Sequence, residues 1–347
     1  MTGKQIVFTK PNTAELLEYD VQKPGEYDVS VRMLYTAVSA GTERANIMGE
    51  KNVSGMREHC NTKFPRMLGY SGTGIVEKIG SRVTSVKEGD RVIVYFGNHR
   101  QYNVVNEEKV YPIKYHEVSS QEAALMVIAC FPMLGVRRTR LEIGESALIA
   151  GLGILGLMAV QICRAAGAVP VIASDPNPRR RELALAMGAD YAFDPFEPDF
   201  YEKVKEVTNQ QGANVVIEVS GVNTAIGQVL DCTAKWGRVS LLGCSRNLDN
   251  NVDFYHQVHA TGISLIGTNN MSRPELESRP GSWTYQDDCE ALLKLVCSGQ
   301  LDLNSLIGEI HSPADAPEIY SRLVEDYQNF PIGVLFDWSS LEERRSK

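Results

Sequence analysis

The sequence predicts an α/β protein in which a β-rich domain accompanies a doubly wound parallel sheet. Three observations carry this. The chain has 347 residues, more than one domain of roughly 100–200 residues holds. Its hydrophobic rhythm changes near residue 119, from alternation to strands separated by helices. A glycine fingerprint, Gly151-Leu152-Gly153-Ile154-Leu155-Gly156, stands between a strand and a helix of the second rhythm.

The first stretch reads as β. EYDVSVRMLYTAVSA alternates apolar and polar residues, the period of a half-buried strand. GIVEKIG, DRVIVYF and QYNVVNEEKVYPI do the same, punctuated by Pro24-Gly25, Gly41, Gly89-Asp90, Gly97 and Pro112. Many short strands with turn signals predict a barrel or partly open sandwich. The polar run 46–63 reads as a loop or short helix over a site.

Ser119 and Glu122 form a capping-box pair ahead of a long apolar helix. ESALIAG is then a strand and ILGLMAVQICRAAG a helix stopping at Gly167. VPVIASD, DYAFDP, NVVIEVSG, RVSLLG and ISLIGTNN are strands. PRRRELALAMG, PDFYEKVKEVTNQQG and NTAIGQVLDCTAKWG are the helices between them. Strands apolar throughout and separated by helices predict a parallel sheet covered on both faces. The helix DDCEALLKLVCSGQL, the strand LIGEIHS, the helix APEIYSRLVEDY and the strand IGVLFDW close the chain. That tail is too small to fold alone and is expected to return to the first domain. The expected domains are therefore 1–122 with 291–347, and 123–290.

Composition excludes several classes. The chain is 43% apolar and 22% charged, which is an ordinary globular profile and not a disordered one. No window of 18 uncharged apolar residues exists and no signal-peptide core opens the sequence, so a cytoplasmic location is expected. A net charge of -8 argues against nucleic acid and anionic membrane, which need a basic face. The partner expected is a small-molecule substrate. The seven cysteines are scattered without a CxxC pair, so reduced and mostly buried thiols are expected.

The fingerprint implies a dinucleotide. The first glycine makes the turn, the second admits the pyrophosphate and the third lets helix pack on strand. The helix N-terminus offers N–H groups and partial positive charge to phosphates. Asp175 ends the next strand, where a carboxylate accepts from ribose hydroxyls and repels a 2′-phosphate. Arg179, Arg180 and Arg181 follow it and could bind a 2′-phosphate, stack on adenine or simply face solvent. The charge argument favours NAD over NADP.

The layout resembles the medium-chain dehydrogenase/reductase superfamily of zinc-type alcohol dehydrogenases. The markers are Gly41-Thr42-Glu43, Gly69-Tyr70-Ser71-Gly72-Thr73-Gly74, Gly89-Asp90-Arg91-Val92, the Gly151–Gly156 fingerprint and Gly188-Ala189-Asp190. The resemblance covers essentially the whole chain and implies a GroES-like catalytic domain beside a Rossmann domain. Among members, the closest look is to sugar, glycoside and polyol dehydrogenases, on Ser39-Ala40-Gly41-Thr42-Glu43 and the tail TYQDDCEALLKLVCSGQLDLNSLI. Bacteriochlorophyllide-type hydroxyethyl dehydrogenases share a similar glycine-threonine-glutamate motif. The resemblance further implies cofactor contacts at Ser220, Gly243, Gly267 and Thr268, and a homodimer or homotetramer.

The sequence departs from the zinc-dependent pattern. Ala40 stands at the cysteine ligand position, Tyr70 at the histidine and Ser71 at the acidic one. The next helix reads Leu125-Met126-Val127-Ile128 where a further ligand belongs. Residues 93–115 contain no cysteine, so a structural zinc lobe is not expected either. His256 and His259 could share a helical face, but no third ligand is evident, and a hydrogen-bonded structural role fits each histidine.

Alcohol oxidation then needs a side chain to move the hydroxyl proton that zinc would otherwise acidify. Tyr70 is either that group or a packed aromatic lining a pocket. Thr42 occupies the resemblance's proton-relay position, and Glu43 beside it is the next catalytic candidate, although in the family that position is often a structural carboxylate. The expected activity is NAD-dependent, zinc-independent oxidation of a secondary alcohol of a sugar, glycoside or polyol. The alternatives are a zinc-independent quinone or enoyl-type reductase and a non-catalytic NAD-binding regulator. Loop 46–63 and the polar run 269–286 are expected to shape the pocket.

Overall fold

The computed structural model describes residues 1–51, 53, 63–245 and 252–343. The chain divides into two compact units, one of residues 1–128 with 303–347 and one of residues 129–302.

The first unit is built on strands. β1 (Thr2–Lys10) and β2 (Thr13–Asp20) pair as a hairpin. Asn12 turns the chain with φ of 56°, a left-handed conformation that asparagine tolerates. β3 (Asp28–Ala37), β4 (Ser71–Ile79), β5 (Arg91–Tyr95), β6 (Tyr102–Asn106) and β7 (Val110–Pro112) belong to one seven-stranded sheet. The last two strands of the chain, β14 (Ile307–His311) and β15 (Gly333–Asp337), complete it in the order β14-β15-β3-β4-β5-β7, with β6 also on β3. Val29, Val31, Met33, Val92 and Val94 supply the apolar face, joined by Phe336 and Trp338 from the returning tail. The run QYNVVNEEKVYPI is not one strand: a 3-10 turn at Glu107–Lys109 separates β6 from β7.

The Gly41-Thr42-Glu43 motif lies on a helix, α1 (Ala40–Met48), which ends at Gly49 with φ of 73°. Most of the predicted loop 46–63 falls outside the described residues. The capping box forms: Ser119 Oγ accepts from Glu122 N–H, and the Glu122 carboxylate accepts from Ser119 N–H. The long helix predicted after it is two, α2 (Ser120–Ala124) and α3 (Met126–Thr139). Leu125 N–H bonds the Glu122 carbonyl, a tight i→i−3 bond that closes the first segment.

The second unit holds a six-stranded parallel sheet in the order β10-β9-β8-β11-β12-β13. The strands are β8 (Ala147–Ala150), β9 (Val171–Ser174), β10 (Tyr191–Phe193), β11 (Ala213–Glu218), β12 (Thr233–Leu241) and β13 (Ser264–Gly267). The order reverses between β8 and β11, so a crevice opens at their carboxyl ends. The helices α4 (Ile154–Ala165), α5 (Pro178–Ala186), α6 (Phe200–Val207), α7 (Asn223–Asp231) and α8 (Tyr285–Cys297) follow the predicted pattern. One prediction fails here. The helix expected to run through Lys235-Trp236-Gly237 stops at Asp231, and β12 starts at Thr233. Ala213 N–H bonds the Cys232 carbonyl and Thr233 stands beside Ala213 in register, so sheet pairing overrides the helical pattern.

The run 269–286 is not a polar loop throughout. Arg273 is buried and pairs with Asp288, which also accepts from Arg137 Nε at 2.7 Å. Cys130, Cys163, Cys232 and Cys289 are buried, whereas Cys244 and Cys297 are exposed. Burial pushes the Cys163 and Cys232 thiols up to about 12. Among the described residues no helix is long and apolar enough to cross a membrane.

Candidate active site

In the second unit the glycine fingerprint forms the turn from β8 into α4. Gly151 has φ of 98° and its N–H bonds the Ser174 carbonyl. A Cβ at Gly156 would lie 1.9 Å from the Gly151 carbonyl oxygen, so only glycine permits this crossing of helix and strand. Gly153 is the N-cap of α4, no side chain caps the helix, and nothing stands within 4 Å of where its Cβ would be. Open space thus adjoins an uncapped helix N-terminus, where phosphate is favoured.

Asp175 is 5% exposed and does more than the fingerprint suggests. Its Oδ2 accepts from Leu152 N–H and its Oδ1 from Asn177 N–H, both at 2.8 Å. The carboxylate therefore braces the glycine turn itself. Arg180 lies 3.9 Å from Oδ2. Arg181 is committed to the Asp175 and Pro176 carbonyls and to Asp194, while Arg179 is exposed. Of the three arginines, Arg180 is the one that joins the carboxylate.

At the end of β11, Ser220 N–H, Gly221 N–H and Ser220 Oγ–H all donate to Glu218 Oε1. Glu218 is 1% exposed, and burial pushes its carboxyl above the ordinary range, against the pull of those donors. Sequence reasoning selected Ser220 and passed over Glu218, because a glutamate ending a strand reads as solvated. The Gly243 N–H bonds the Glu218 carbonyl, and a Cβ there would meet Gly221 N at 2.3 Å. At Gly267 nothing stands within 4 Å of where a Cβ would be. Thr268 is a correction: it is fully buried and its hydroxyl meets Ser240 Oγ at 2.8 Å, so its side chain faces the interior and not a ligand. The glycine turn, the uncapped helix and the carboxylate beside them fit a dinucleotide.

In the first unit Tyr70 precedes β4, and its Oη–H donates to Ser39 Oγ at 2.8 Å. Its carbonyl accepts from Phe96 N–H, and the Phe96 ring lies 6.5 Å away. Thr42 is half-buried on α1, and its carbonyl accepts from Asn46 Nδ2. Ser39, which sequence reasoning did not select as a site residue, is the N-cap of α1.

Glu43 is a second correction. It is 0% exposed and accepts from Ser39 N–H at 3.0 Å, Tyr320 Oη at 2.5 Å and His99 Nε2 at 3.2 Å. A carboxylate so enclosed touches no substrate and is part of the scaffold. Burial first, then the Glu43 charge, hold the Tyr320 phenol well above its usual range, so it remains a donor. His99 is 1% exposed; its Nδ1 meets Thr36 Oγ1 at 2.6 Å, and Thr36 in turn accepts from Trp338 Nε1.

The residues at the positions that the resemblance assigns to zinc do not fit the ion. Ala40 has no donor atom, Ser71 gives its hydroxyl hydrogen to the Ala124 carbonyl, and Val127 is buried and apolar. Tyr70 offers a phenol and no thiolate, imidazole or carboxylate. Among the described residues no group of three or more His, Cys, Asp or Glu side chains is arranged to hold a metal. His256 Nδ1 bonds the Asp253 carboxylate at 2.6 Å, and His259 stacks on Tyr255.

Comparison with known proteins agrees with this architecture. Residues 25–115 match the alcohol dehydrogenase GroES-like domain, and residues 155–280 match the zinc-binding dehydrogenase family. A D-guloside 3-dehydrogenase of Escherichia coli is 27% identical across 96% of this chain and 100% of its own. An L-threonine 3-dehydrogenase of Pyrococcus horikoshii is 32% identical across 69% of this chain and 75% of its own. The solved 2R,3R-butanediol dehydrogenase of Bacillus subtilis superposes with a TM-score of 0.80 at 20% identity, over 96% of this chain and 99% of its own. The chain belongs to the zinc-type alcohol dehydrogenase-like medium-chain dehydrogenase/reductase superfamily, and it is a dehydrogenase.

Proposed function

We propose that the protein is an NAD-dependent, zinc-independent dehydrogenase that interconverts a secondary alcohol of a sugar, glycoside or polyol with its ketone. One observation carries the reading. Where the superfamily places the donors of a zinc ion, this chain has Ala40, Tyr70, Ser71 and Val127, and the Tyr70 phenol is the ionisable group among them. NAD supplies the hydride acceptor when bound. Gly151, Gly153 and Gly156 let the pyrophosphate approach α4, and Leu152, Ile154 and Leu155 complete that turn. Ser220, Gly243 and Gly267 line the other strand ends. Each oxygen of Asp175 keeps an acceptor position beyond its backbone bond, which suits ribose hydroxyls and repels a 2′-phosphate. Tyr70 Oη takes the substrate's hydroxyl proton while its own hydrogen passes along its bond to Ser39 and on to solvent, with Thr42 on α1 as a second hydroxyl for the proton.

The likeness to a D-guloside 3-dehydrogenase along the chain supports a ring hydroxyl as the target, and a shorter match to the sorbitol dehydrogenase of Bacillus subtilis supports polyols. A panel of methyl glycosides, hexoses and polyols with NAD tests the reading, with elemental analysis of tag-free protein. We expect NADH formation on at least one alcohol, with well under one zinc per chain. A tightly held zinc whose removal abolishes turnover would overturn it. Reduction of an enone or quinone in place of any alcohol oxidation would replace it.

A further inference from the structure

An N-cap serine ordinarily turns its hydroxyl onto the first-turn N–H groups of its own helix, which is worth about 1 kcal/mol. Ser39 does not: α1 has no side-chain cap bond. Its hydroxyl accepts from Tyr70 instead, and a carboxylate one turn along the helix, Glu43, accepts its backbone N–H. We propose that Ser39, held in place by Glu43 and His99, is the positioning residue for the Tyr70 hydroxyl; this rests on the proton role given to Tyr70 above.

The hydrogen bonds run in one consistent direction. Trp338 Nε1–H donates to Thr36 Oγ1, which meets His99 Nδ1 at 2.6 Å. His99 Nε2 faces the Glu43 carboxylate, which can only accept, so that nitrogen carries a hydrogen. Tyr320 Oη–H and Ser39 N–H complete the set of donors on that carboxylate. Thr36, Glu43, His99, Tyr320 and Trp338 are each no more than 1% exposed. A carboxylate fixed by donors from a helix, a loop and the returning tail cannot swing, so the Ser39 backbone that it holds stays in place beneath the hydroxyl.

The backbone locks the other half of the pair. His99 N–H bonds the Leu68 carbonyl, and a Cβ at Gly69, where φ is 111°, would lie 2.4 Å from His99 N. The segment that ends in Tyr70 is thereby seated on the same histidine that holds Glu43. The phenol's single hydrogen is directed at Ser39, so toward a substrate hydroxyl its oxygen acts as acceptor. In alcohol oxidation Tyr70 Oη then gains the substrate's proton as its own hydrogen moves along this bond to Ser39 Oγ, whose hydroxyl hydrogen leaves to water.

The test uses full-length protein labelled with 13Cζ-tyrosine, in which Tyr70→Phe identifies the Tyr70 resonance. Ser39→Ala is expected to displace that resonance, and Ser39→Thr, which keeps the hydroxyl, to leave it in place. Tyr320→Phe, which removes a donor from Glu43, is expected to displace it in the same direction by loosening that carboxylate. With NAD and whichever alcohol of the panel turns over, Ser39→Ala is expected to lower kcat about tenfold, with KM and NADH affinity unchanged, and Ser39→Thr to restore it. An unmoved Tyr70 resonance in Ser39→Ala overturns the proposal. So does wild-type kcat in Ser39→Ala beside an impaired Tyr70→Phe. Normal turnover by Tyr70→Phe together with a displaced resonance supports the positioning role and overturns the proton role of Tyr70.

Discussion

The two units build their candidate sites from different materials. In the second, the backbone does most of the work: Gly151, Gly153 and Gly156 clear a path to a helix N-terminus, and Asp175 and Glu218 hold backbone N–H groups of the surrounding turns. In the first, side chains do it: Tyr70, Ser39, Glu43, His99 and Tyr320 come from separate elements and meet through hydroxyl, carboxylate and imidazole. A backbone site is broken by adding an atom, whereas a side-chain site is broken by removing one.

Five substitutions sharpen that contrast. The largest effect is expected from Gly156→Ala, whose methyl group would sit 1.9 Å from the Gly151 carbonyl oxygen. NADH affinity should fall at least a hundredfold, about 2.7 kcal/mol, and calorimetric unfolding should show a lower midpoint. Gly153→Ala has nothing within 4 Å, so it should weaken NADH while leaving the unfolding midpoint unchanged. If both variants behave alike, steric clash in the fold is not what the third glycine prevents.

Tyr320→Phe keeps the ring and deletes one donor from the buried Glu43 carboxylate. A hydrogen bond to a charged group is worth about 1.5–3 kcal/mol, and urea unfolding should show a loss of that size. No loss would mean that water replaces the phenol at Glu43. Asp175→Ser should narrow the preference for NADH over NADPH, which we expect to be about tenfold, or 1.4 kcal/mol, in the unmodified protein. Admission of a 2′-phosphate to Arg180 would account for it. Equal affinities in the unmodified protein would show that Arg180 already outweighs the carboxylate.

The smallest effect concerns Glu145, which receives two hydrogen bonds from Arg238. Those bonds hold its carboxyl below the ordinary carboxylate range. Its folded-state pKa is depressed, so the stability it contributes is present above the unfolded value and is lost as pH falls through the folded one. Glu145→Gln should therefore cost up to about 1 kcal/mol near neutral pH, and the difference from wild type should shrink in acid. A difference independent of pH would assign the cost to packing.

The same contrast explains what was legible in the sequence. Glycine spacing states a backbone requirement, so the turn at 151–156 and the alternation of β8 to β13 with helices could be read directly. The site in the first unit could not. Residues 36, 39, 43, 70, 99, 320 and 338 have no spacing in common, and their hydrogen bonds exist once β15 lies beside β3. Glu43 was misjudged for that reason: nothing local reveals that Tyr320, far along the chain, donates to it. Thr268 was misjudged because a threonine after a strand-end glycine resembles a ligand contact until Ser240 appears opposite. The overextended helix through Trp236 failed on another ground, since the register of β12 with β11 is a long-range property.

Because β15 lies between β14 and β3, the sheet of the first unit is closed by strands at 307–337. The second unit, by contrast, is one uninterrupted run from 129 to 302. During synthesis, at about 5–20 residues per second, the later-encoded unit has all its chain before the earlier-encoded one does. We expect the ribosome to carry a finished parallel sheet while β3 still waits, edge exposed, for its neighbour. Tyr320 and Trp338 lie in that later stretch, so the Glu43 cluster gains these donors only after the whole second unit has been made.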